Sequence, residues 1–328
     1  MLTIGADALR MQGLRLMANW TSDDMPPQRG RSAVVTGTGG LGFETALALA
    51  RAGAAVVIAG RNARNGAEAI ARIHGLIATA NVRFEQLDLA SLTSIAAFGA
   101  RMRSQSTSLD LLINNAGVMR PPKRLETVDG FEIQLGTNHL GHFALTAQLL
   151  PLLRNGVGAR VVTLSSVAAH AATIDFDDLQ AERRYEPMSV YGQSKLACLM
   201  FAYELQRRSD AGDWGIASLA AHPGLSKTDL LLKAPGAEGR INPMFRLVRM
   251  TMQSPAQGAL STLFAATAPE ATPGGFYGPN RLRETRGHPA PSRIAPQAKD
   301  ASGAARLWRE SERLTGAVFA ARIHGAGQ

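Results

Sequence analysis

The sequence predicts an α/β fold, a doubly wound parallel sheet, from three observations. Short apolar runs of strand length, Ala33-Val34-Val35, Ala55 to Ala59 and Leu109 to Ile113, alternate with helix-like stretches. A glycine-rich turn, Gly37-Thr38-Gly39-Gly40-Leu41-Gly42, stands directly after the first of them. Apolar residues make up 45% of the 328 positions, enough for a sizeable core, yet no run reaches the roughly 20 residues of a membrane span.

Each element of the first unit can be justified in order. Ala33-Val34-Val35 suits a buried parallel strand, and Thr36 leads into the glycine turn. Phe43 to Arg51, rich in Ala and Leu, reads as a helix closed by Gly53. Ala55 to Ala59 is the next strand, which completes a β-α-β unit. Gly37, Gly39 and Gly42 fit the spacing G-x-G-x-x-G in the strand-turn-helix setting that a dinucleotide site requires. Such glycines let the backbone approach a pyrophosphate, while the helix N-terminus offers free N–H groups and a positive dipole end.

The end of the second strand bears on cofactor choice. A carboxylate there would bind ribose hydroxyls, but the chain reads Gly60-Arg61-Asn62-Ala63-Arg64. A guanidinium can take a 2′-phosphate bidentately, and no acid in this turn repels it. NADP(H) is therefore expected in preference to NAD(H), the alternative being that Arg61 and Arg64 are solvated loop charges.

Tyr191-Gly192-Gln193-Ser194-Lys195 sets a phenol and an ammonium one helical turn apart. At i and i+4 they share a face, so the cation can favour the phenolate and bring a group of ordinary pKa about 10 toward use as a proton carrier. The same spacing also occurs on surface helices without chemical purpose, and it gains meaning from the motifs around it.

Taken together and in order, these motifs resemble the short-chain dehydrogenase/reductase superfamily, and within it the retinol-dehydrogenase-like, WW-domain-oxidoreductase-like branch. The resemblance runs from about Trp20 to Gly316. Leu87-Asp88-Leu89 is similar to the family's aspartate turn at the adenine. Asn114-Asn115-Ala116-Gly117 is similar to its NNAG turn beside the adenosine ribose. Thr137-Asn138-His139-Leu140-Gly141-His142-Phe143 resembles the helix whose Asn completes a proton-relay tetrad. Val161 to Ser166 resembles the strand ending in the catalytic serine, Ser166 holding the family's position. Ala221-His222-Pro223-Gly224, with Thr228 beyond, resembles the turn at the nicotinamide end. Two departures stand out. Only two residues, not three, separate Gly37 from Gly40, and an insertion from Ala168 to Tyr185 lengthens the path between Ser166 and Tyr191. The insertion is itself a mark of the retinol-dehydrogenase-like branch.

The resemblance implies a Rossmann-like sheet and an NADP(H)-dependent oxidoreductase acting on a carbonyl compound or alcohol. Ser166 would donate to the substrate oxygen and Tyr191 would transfer its proton. Lys195 would lower the Tyr191 pKa and hold the nicotinamide ribose, and Asn138 would place a water linking Lys195 to solvent. The cofactor is expected on Gly37, Gly39, Gly40, Leu41, Gly42, Arg61, Asn62, Asp88, Leu89, Asn115, Ala116, Gly117, Tyr191, Lys195, Pro223, Gly224 and Thr228. Residues 1–30 would form an N-terminal extension, 31–316 the NADP-binding domain with a substrate flap at about 229–255, and 317–328 a tail. Reduction of an activated C=C bond on the same scaffold, as in the related protochlorophyllide reductases, is a second reading. A non-catalytic NADP-binding regulatory protein is a third. A homodimer or homotetramer is implied, joined through the helices carrying Asn138 and Tyr191.

The remaining polar residues point to no other chemistry. His139, His142 and His170 lack a carboxylate or thiol at ligand spacing, so helix packing and loop hydrogen bonds are expected and no metal. Asp175, Asp177 and Asp178 lack the glycine and terminal glutamate of a calcium loop and read as a solvated turn. Cys198 is the sole cysteine, which excludes an internal disulfide and suits a reducing, cytoplasmic setting. Leu9, Leu14, Leu16 and Met17 suggest a short amphipathic helix, and no signal-peptide pattern precedes Arg31.

Net charge is +9, and from Arg240 onward 12 Lys/Arg face 5 Asp/Glu. A basic segment suits anionic membranes or nucleic acid, but a solvated helix face through Arg306, Arg309 and Arg313 explains it, with no nucleic-acid motif present. Leu230 to Leu232, Ile241, Met244, Phe245, Leu247, Val248, Met250 and Met252 form an apolar stripe after the Pro223-Gly224 turn. It suits a lipophilic substrate pocket, a core or a subunit interface alike.

Overall fold

Strand β1 (Ser32–Thr36) and its neighbours are apolar on both faces, as a sheet covered on both sides by helices demands. The computed structural model describes residues 19–227 and 252–319. In chain order, β1 is followed by α1 (Gly40–Arg51), β2 (Ala55–Gly60), α2 (Ala63–Leu76), β3 (Val82–Gln86), α3 (Leu92–Gln105) and β4 (Leu111–Asn114). Then come α4 (Gly141–Arg154), β5 (Arg160–Leu164), α5 (Pro187–Ala211), β6 (Ala217–Ala221) and α6 (Pro255–Thr267). The hairpin of β7 (Phe276–Arg281) and β8 (Arg286–Pro291) precedes α7 (Ala301–Thr315).

The eight strands lie in the order β3-β2-β1-β4-β5-β6-β7-β8. All neighbours are parallel except β7 and β8. Alternation splits the strand residues between two cores. Val35, Ile58, Ile113, Val162 and Leu219 meet Phe43, Leu47 and Phe264 of α1 and α6 on one face. Val34, Val57, Leu112 and Val161 meet Phe98, Phe143 and Leu149 of α3 and α4 on the other. The sheet is thus the doubly wound, Rossmann-like one that the sequence predicts. Its switch point lies between β1 and β4, where the chain leaves one half of the sheet for the other, and a ligand crevice forms there at the carboxyl ends of the strands.

Two boundaries differ from expectation. The first helix begins at Gly40 instead of Phe43. Glycine is a poor helix former, but a Cβ at Gly42 would lie 2.4 Å from the Gly37 carbonyl oxygen, so the tight turn requires it inside the helix. β4 begins at Leu111, because the Leu109 N–H turns to the Leu152 carbonyl and not to a neighbouring strand.

The C-terminal helix was not anticipated as a packing element. On α7, Leu307 and Trp308 are buried while Arg306, Arg309 and Arg313 are exposed, which accounts for the basic residues as a solvated face. Trp308 packs on Phe143 of α4 (centroids 4.9 Å apart) and Phe201 of α5 (5.7 Å). Part of the helical surface on which the resemblance placed subunit association is therefore filled from within the same chain. Within the insertion, the Asp178 carboxylate accepts from the N–H groups of Glu182, Arg183 and Arg184, a turn closed on itself. Among the described residues no helix is long and apolar enough to cross a membrane, and no three His, Cys, Asp or Glu side chains gather to hold a metal ion. The expected N-terminal helix (Leu9 to Met17), Thr228 and nearly all of the substrate flap, Leu230 to Met250 included, lie outside the described residues.

Candidate active site

Six strand ends deliver the candidate residues to one edge of the sheet. Gly37 follows β1, Arg61 follows β2, and Leu87-Asp88 follows β3; Asn115 follows β4, Ser165-Ser166 follows β5, and His222 follows β6. Gly37 has φ +101° and could not carry a side chain, since a Cβ would stand 2.9 Å from the Asn115 amide nitrogen. Asn115 in turn donates from Nδ2 to the Thr36 carbonyl at 2.6 Å, which ties the glycine turn to the NNAG turn. Gly39, at the N-cap of α1, has no side-chain capping bond and open space around it. The first N–H groups of α1 are therefore left for an anion, the arrangement that suits a dinucleotide pyrophosphate.

A cavity of about 230 Å³ opens beside this turn. Gly37, Arg61, Asn62, Asp88, Leu89, Ala116 and Gly117 line it, together with Thr38, Asn65 and Thr137, which the sequence had not singled out. Gly39, Gly40, Leu41, Gly42 and Asn115 shape the turn behind it and are not in its wall. Asn62 also caps α2, its Oδ1 accepting from Asn65 N at 3.1 Å. Asp88 uses Oδ1 to accept the Ala90 N–H at 2.9 Å, which fixes the turn after β3. Arg64 pairs with Glu68 at 3.0 Å, whereas Arg61, on the cavity wall, makes no ion pair among the described residues.

Asn138 and Lys195 lie behind Gly117 of that cavity's wall, Tyr191 is on the same helix as Lys195, and Ser166 caps a turn packed on that helix. Lys195 is buried and its Nζ donates to the Leu164 carbonyl at 3.1 Å; it lies 6.0 Å from the centre of the Tyr191 ring. Ser165, next to Ser166, donates to the Lys195 carbonyl at 2.8 Å and binds α5 to the end of β5. Ser166 caps the 3-10 turn Val167–Ala171, and that turn packs on α5 at Gly192, where a Cβ would meet the Ala168 carbonyl at 3.2 Å. Gly117 marks where the set meets the NNAG turn. A Cβ there would lie 2.8 Å from Asn138 Oδ1 and 3.5 Å from Lys195 Nζ.

Asn138 sits in a π turn, Gly136–Leu140, which widens the helix just ahead of α4. Its Oδ1 accepts from Val118 N (2.8 Å), and its Nδ2 donates to the Val118 carbonyl (3.0 Å) and to Ser194 Oγ (2.9 Å). Its backbone carbonyl accepts from His142 Nδ1 (2.9 Å) and Cys198 Sγ (3.1 Å). Burial is the main cause that pushes His142 down to about 4; the bond to Asn138 opposes it and the Lys195 charge adds to it. The ring is thus neutral near pH 7, with its proton on Nδ1, and Nε2 accepts from the Thr36 hydroxyl at 2.9 Å. Thr36 Oγ1 also accepts the N–H groups of Asn115 and Ala116, both at 2.9 Å.

This hub of Thr36, His142 and Ser194 escaped the sequence reading. Nothing local marks a threonine at a strand end, such as Thr36, or a serine on a helix, such as Ser194, as a connector. His142 was expected to pack and to hydrogen-bond, and it does both. Among the described residues Pro223 and Gly224 form a turn after β6, Gly224 with φ +61° and a Cβ position 2.4 Å from the Thr285 carbonyl oxygen. The Pro223 carbonyl accepts from Ser226 Oγ and Gln253 Nε2.

Residues 31–238 match the family model described as short chain dehydrogenase. The chain is 42% identical over 309 residues to a polyprenol dehydrogenase of Mus musculus, covering 92% of this chain and 89% of the relative. It is 40% identical over 296 residues to retinol dehydrogenase 13 of Homo sapiens, covering 88% and 85%. Among solved structures, an uncharacterised protein from Mycobacterium paratuberculosis superposes with a TM-score of 0.76 at 38% identity, over 92% of this chain and 99% of that one. An NADP active-site complex of Pseudomonas aeruginosa RhlG superposes with a TM-score of 0.62 at 25% identity, over 77% and 96%.

Proposed function

Because the chain belongs to the short-chain dehydrogenase family, in its retinol-dehydrogenase-like branch, we propose that it moves hydride between NADP(H) and a lipophilic carbonyl compound or its primary or secondary alcohol. The observation that carries this reading is the convergence of Asn138 and Lys195 on Gly117, with Tyr191 one turn before Lys195 on the same helix. When bound, the cofactor would supply the hydride for carbonyl reduction or accept it from the alcohol.

The chain's own residues do the rest. The backbone N–H groups at the start of α1, opposite Gly37 and Gly39, take the pyrophosphate; Asp88, Leu89, Ala116 and Gly117 enclose the adenosine. Arg61 takes the 2′-phosphate, a role supported by its place on the cavity wall and its lack of an acidic partner there. Ser166 donates a hydrogen bond to the substrate oxygen, and Tyr191 gives its proton to that oxygen as a carbonyl is reduced, or takes it as an alcohol is oxidised. Lys195 lies 6.0 Å from the centre of the Tyr191 ring and meets the nicotinamide ribose; Asn138 positions a water that returns the proton from solvent. Pro223 and Gly224 hold the nicotinamide end.

The lipophilic character of the substrate draws support from the two curated relatives, both named for alcohols with long apolar chains. A reducing compartment, the cytoplasm, suits the lone buried thiol of Cys198. NADPH oxidation across a carbonyl panel, with NADH and Tyr191→Phe as controls, tests the reading. Turnover selective for NADPH and absent in the variant is expected. A saturated ketone formed from an enone, or near-normal turnover in Tyr191→Phe, would overturn it.

A further inference from the structure

Beneath the Pro223-Gly224 turn lies a polar cluster that the relay does not use. His222 has no exposed surface, and its Nδ1 accepts the Gly224 N–H at 3.2 Å. Its proton is therefore on Nε2, which faces Glu284 Oε2 at 3.1 Å and Ser292 Oγ at 2.9 Å. Ser292 donates to the same Glu284 oxygen at 2.6 Å, and the Arg293 N–H binds the other carboxylate oxygen at 2.9 Å. These bonds hold the Glu284 carboxyl down to about 2 although burial opposes its ionisation.

The route by which Glu284 reaches this place is unusual. Leu282, Arg283 and Glu284 have φ of +49°, +54° and +64°, three consecutive residues in the left-handed region without a glycine among them. Such backbone is strained and persists where surrounding contacts over-determine it. Here the β7–β8 turn folds back on the β6 turn at two points. The Thr285 carbonyl accepts the Leu225 N–H at 2.8 Å, and the Glu284 carboxylate meets His222. The same carboxylate oxygen lies 3.8 Å from His170 Nε2, on the 3-10 turn that Ser166 caps. His170 Nδ1 accepts from Arg293, so its Nε2 carries the proton and points toward Glu284.

We propose that Glu284 is a positioning residue for hydride transfer: through His222 it sets the Pro223-Gly224 turn at the nicotinamide end, and beside His170 it keeps that turn in register with Ser166. The inference rests on the reading of the chain as an NADP(H) oxidoreductase. Glu284 is not in the wall of the cavity beside the glycine turn, and its effect falls on the nicotinamide half of the site alone, because the adenosine half is built from β1 to β4.

Titration of the protein with NADPH and with adenosine 2′,5′-bisphosphate, which lacks the nicotinamide, separates the two halves. Glu284→Ala is expected to weaken NADPH about tenfold and lower kcat by roughly tenfold to a hundredfold. The affinity for the bisphosphate stays at the wild-type value. Glu284→Gln, whose amide oxygen still accepts from Nε2, recovers most of kcat. If Glu284→Ala does not fold, Ser292→Ala reads the same link and lowers kcat several-fold with bisphosphate binding unchanged. Wild-type NADPH affinity and kcat in these variants would overturn the proposal. So would a parallel loss of bisphosphate binding, which would mark Glu284 as a general prop of the fold. Failure of the wild type itself to bind NADPH would bring down the functional reading and this inference with it.

Discussion

Asn138 and Ser194 are joined at 2.9 Å, Nδ2 donating to Oγ, and Ser194 donates onward to the Tyr191 carbonyl at 2.8 Å. The pose of Asn138 is thus set from the helix that carries Tyr191, one residue before Lys195. Ser194→Ala removes this link and leaves the Asn138 side chain held by Val118 alone. Turnover is expected to fall by about tenfold, with NADPH affinity unchanged, as steady-state kinetics paired with direct binding will show.

Gly117 lies against both Asn138 and Lys195, so a single methyl group there tests their convergence. Gly117→Ala places a Cβ 2.8 Å from Asn138 Oδ1, closer than real contacts allow. A loss of turnover approaching roughly a hundredfold is expected; a variant of wild-type kcat would refute the convergence.

The proposed preference for NADP(H) rests on Arg61. A charge-assisted hydrogen bond contributes about 1.5–3 kcal/mol, so Arg61→Ala is expected to raise KM for NADPH about tenfold to a hundredfold. KM for NADH should not move. Equal losses with both cofactors would show that Arg61 does not read the 2′-phosphate.

The buried histidines predict a pH dependence of stability. Burial, helped by the charge of His142, drives His139 down to about 3, and His142 stands at about 4. Both lie below the ordinary 6.5, so the unfolded chain takes up protons first as pH falls. Their contribution is fully present above pH 6.5 and is lost as pH falls from there toward 4 for His142 and 3 for His139. Melting temperature should decline across that window, and His139→Asn should decline less steeply; an equal slope in the variant would contradict the assignment.

Trp308 anchors α7 with 2% of its surface exposed. Trp308→Ala is expected to cost about 3–5 kcal/mol, read from urea unfolding. A loss below about 1 kcal/mol would mean that the cluster with Phe143 and Phe201 had closed over the gap.

What the sequence made legible was local. Glycines that must be glycines, such as Gly37 and Gly42, announce themselves by spacing, and Tyr191 and Lys195 by one helical turn. Apolar runs placed the strands, because a sheet buried on both faces leaves them no polar face. The hub was hidden because Thr36 and His142 are 106 residues apart and either would be unremarkable alone. Glu284 was hidden for a different reason: its left-handed backbone is imposed by the hairpin, and no glycine or asparagine signals it. The helix start was misjudged at Gly40 because propensity argues against glycine where close packing requires it.

His139 Nε2 reaches Ser311 Oγ on α7 at 2.8 Å, across 172 residues of chain. On the ribosome, the glycine turn and the first five strands emerge long before Ser311 does, and folding proceeds from the N-terminus as they appear. The π turn beneath Asn138 therefore receives its outer support only after α7 has emerged. A nascent chain can complete the cradle for a dinucleotide early, while the turn that holds Asn138 stays unbraced until α7 arrives.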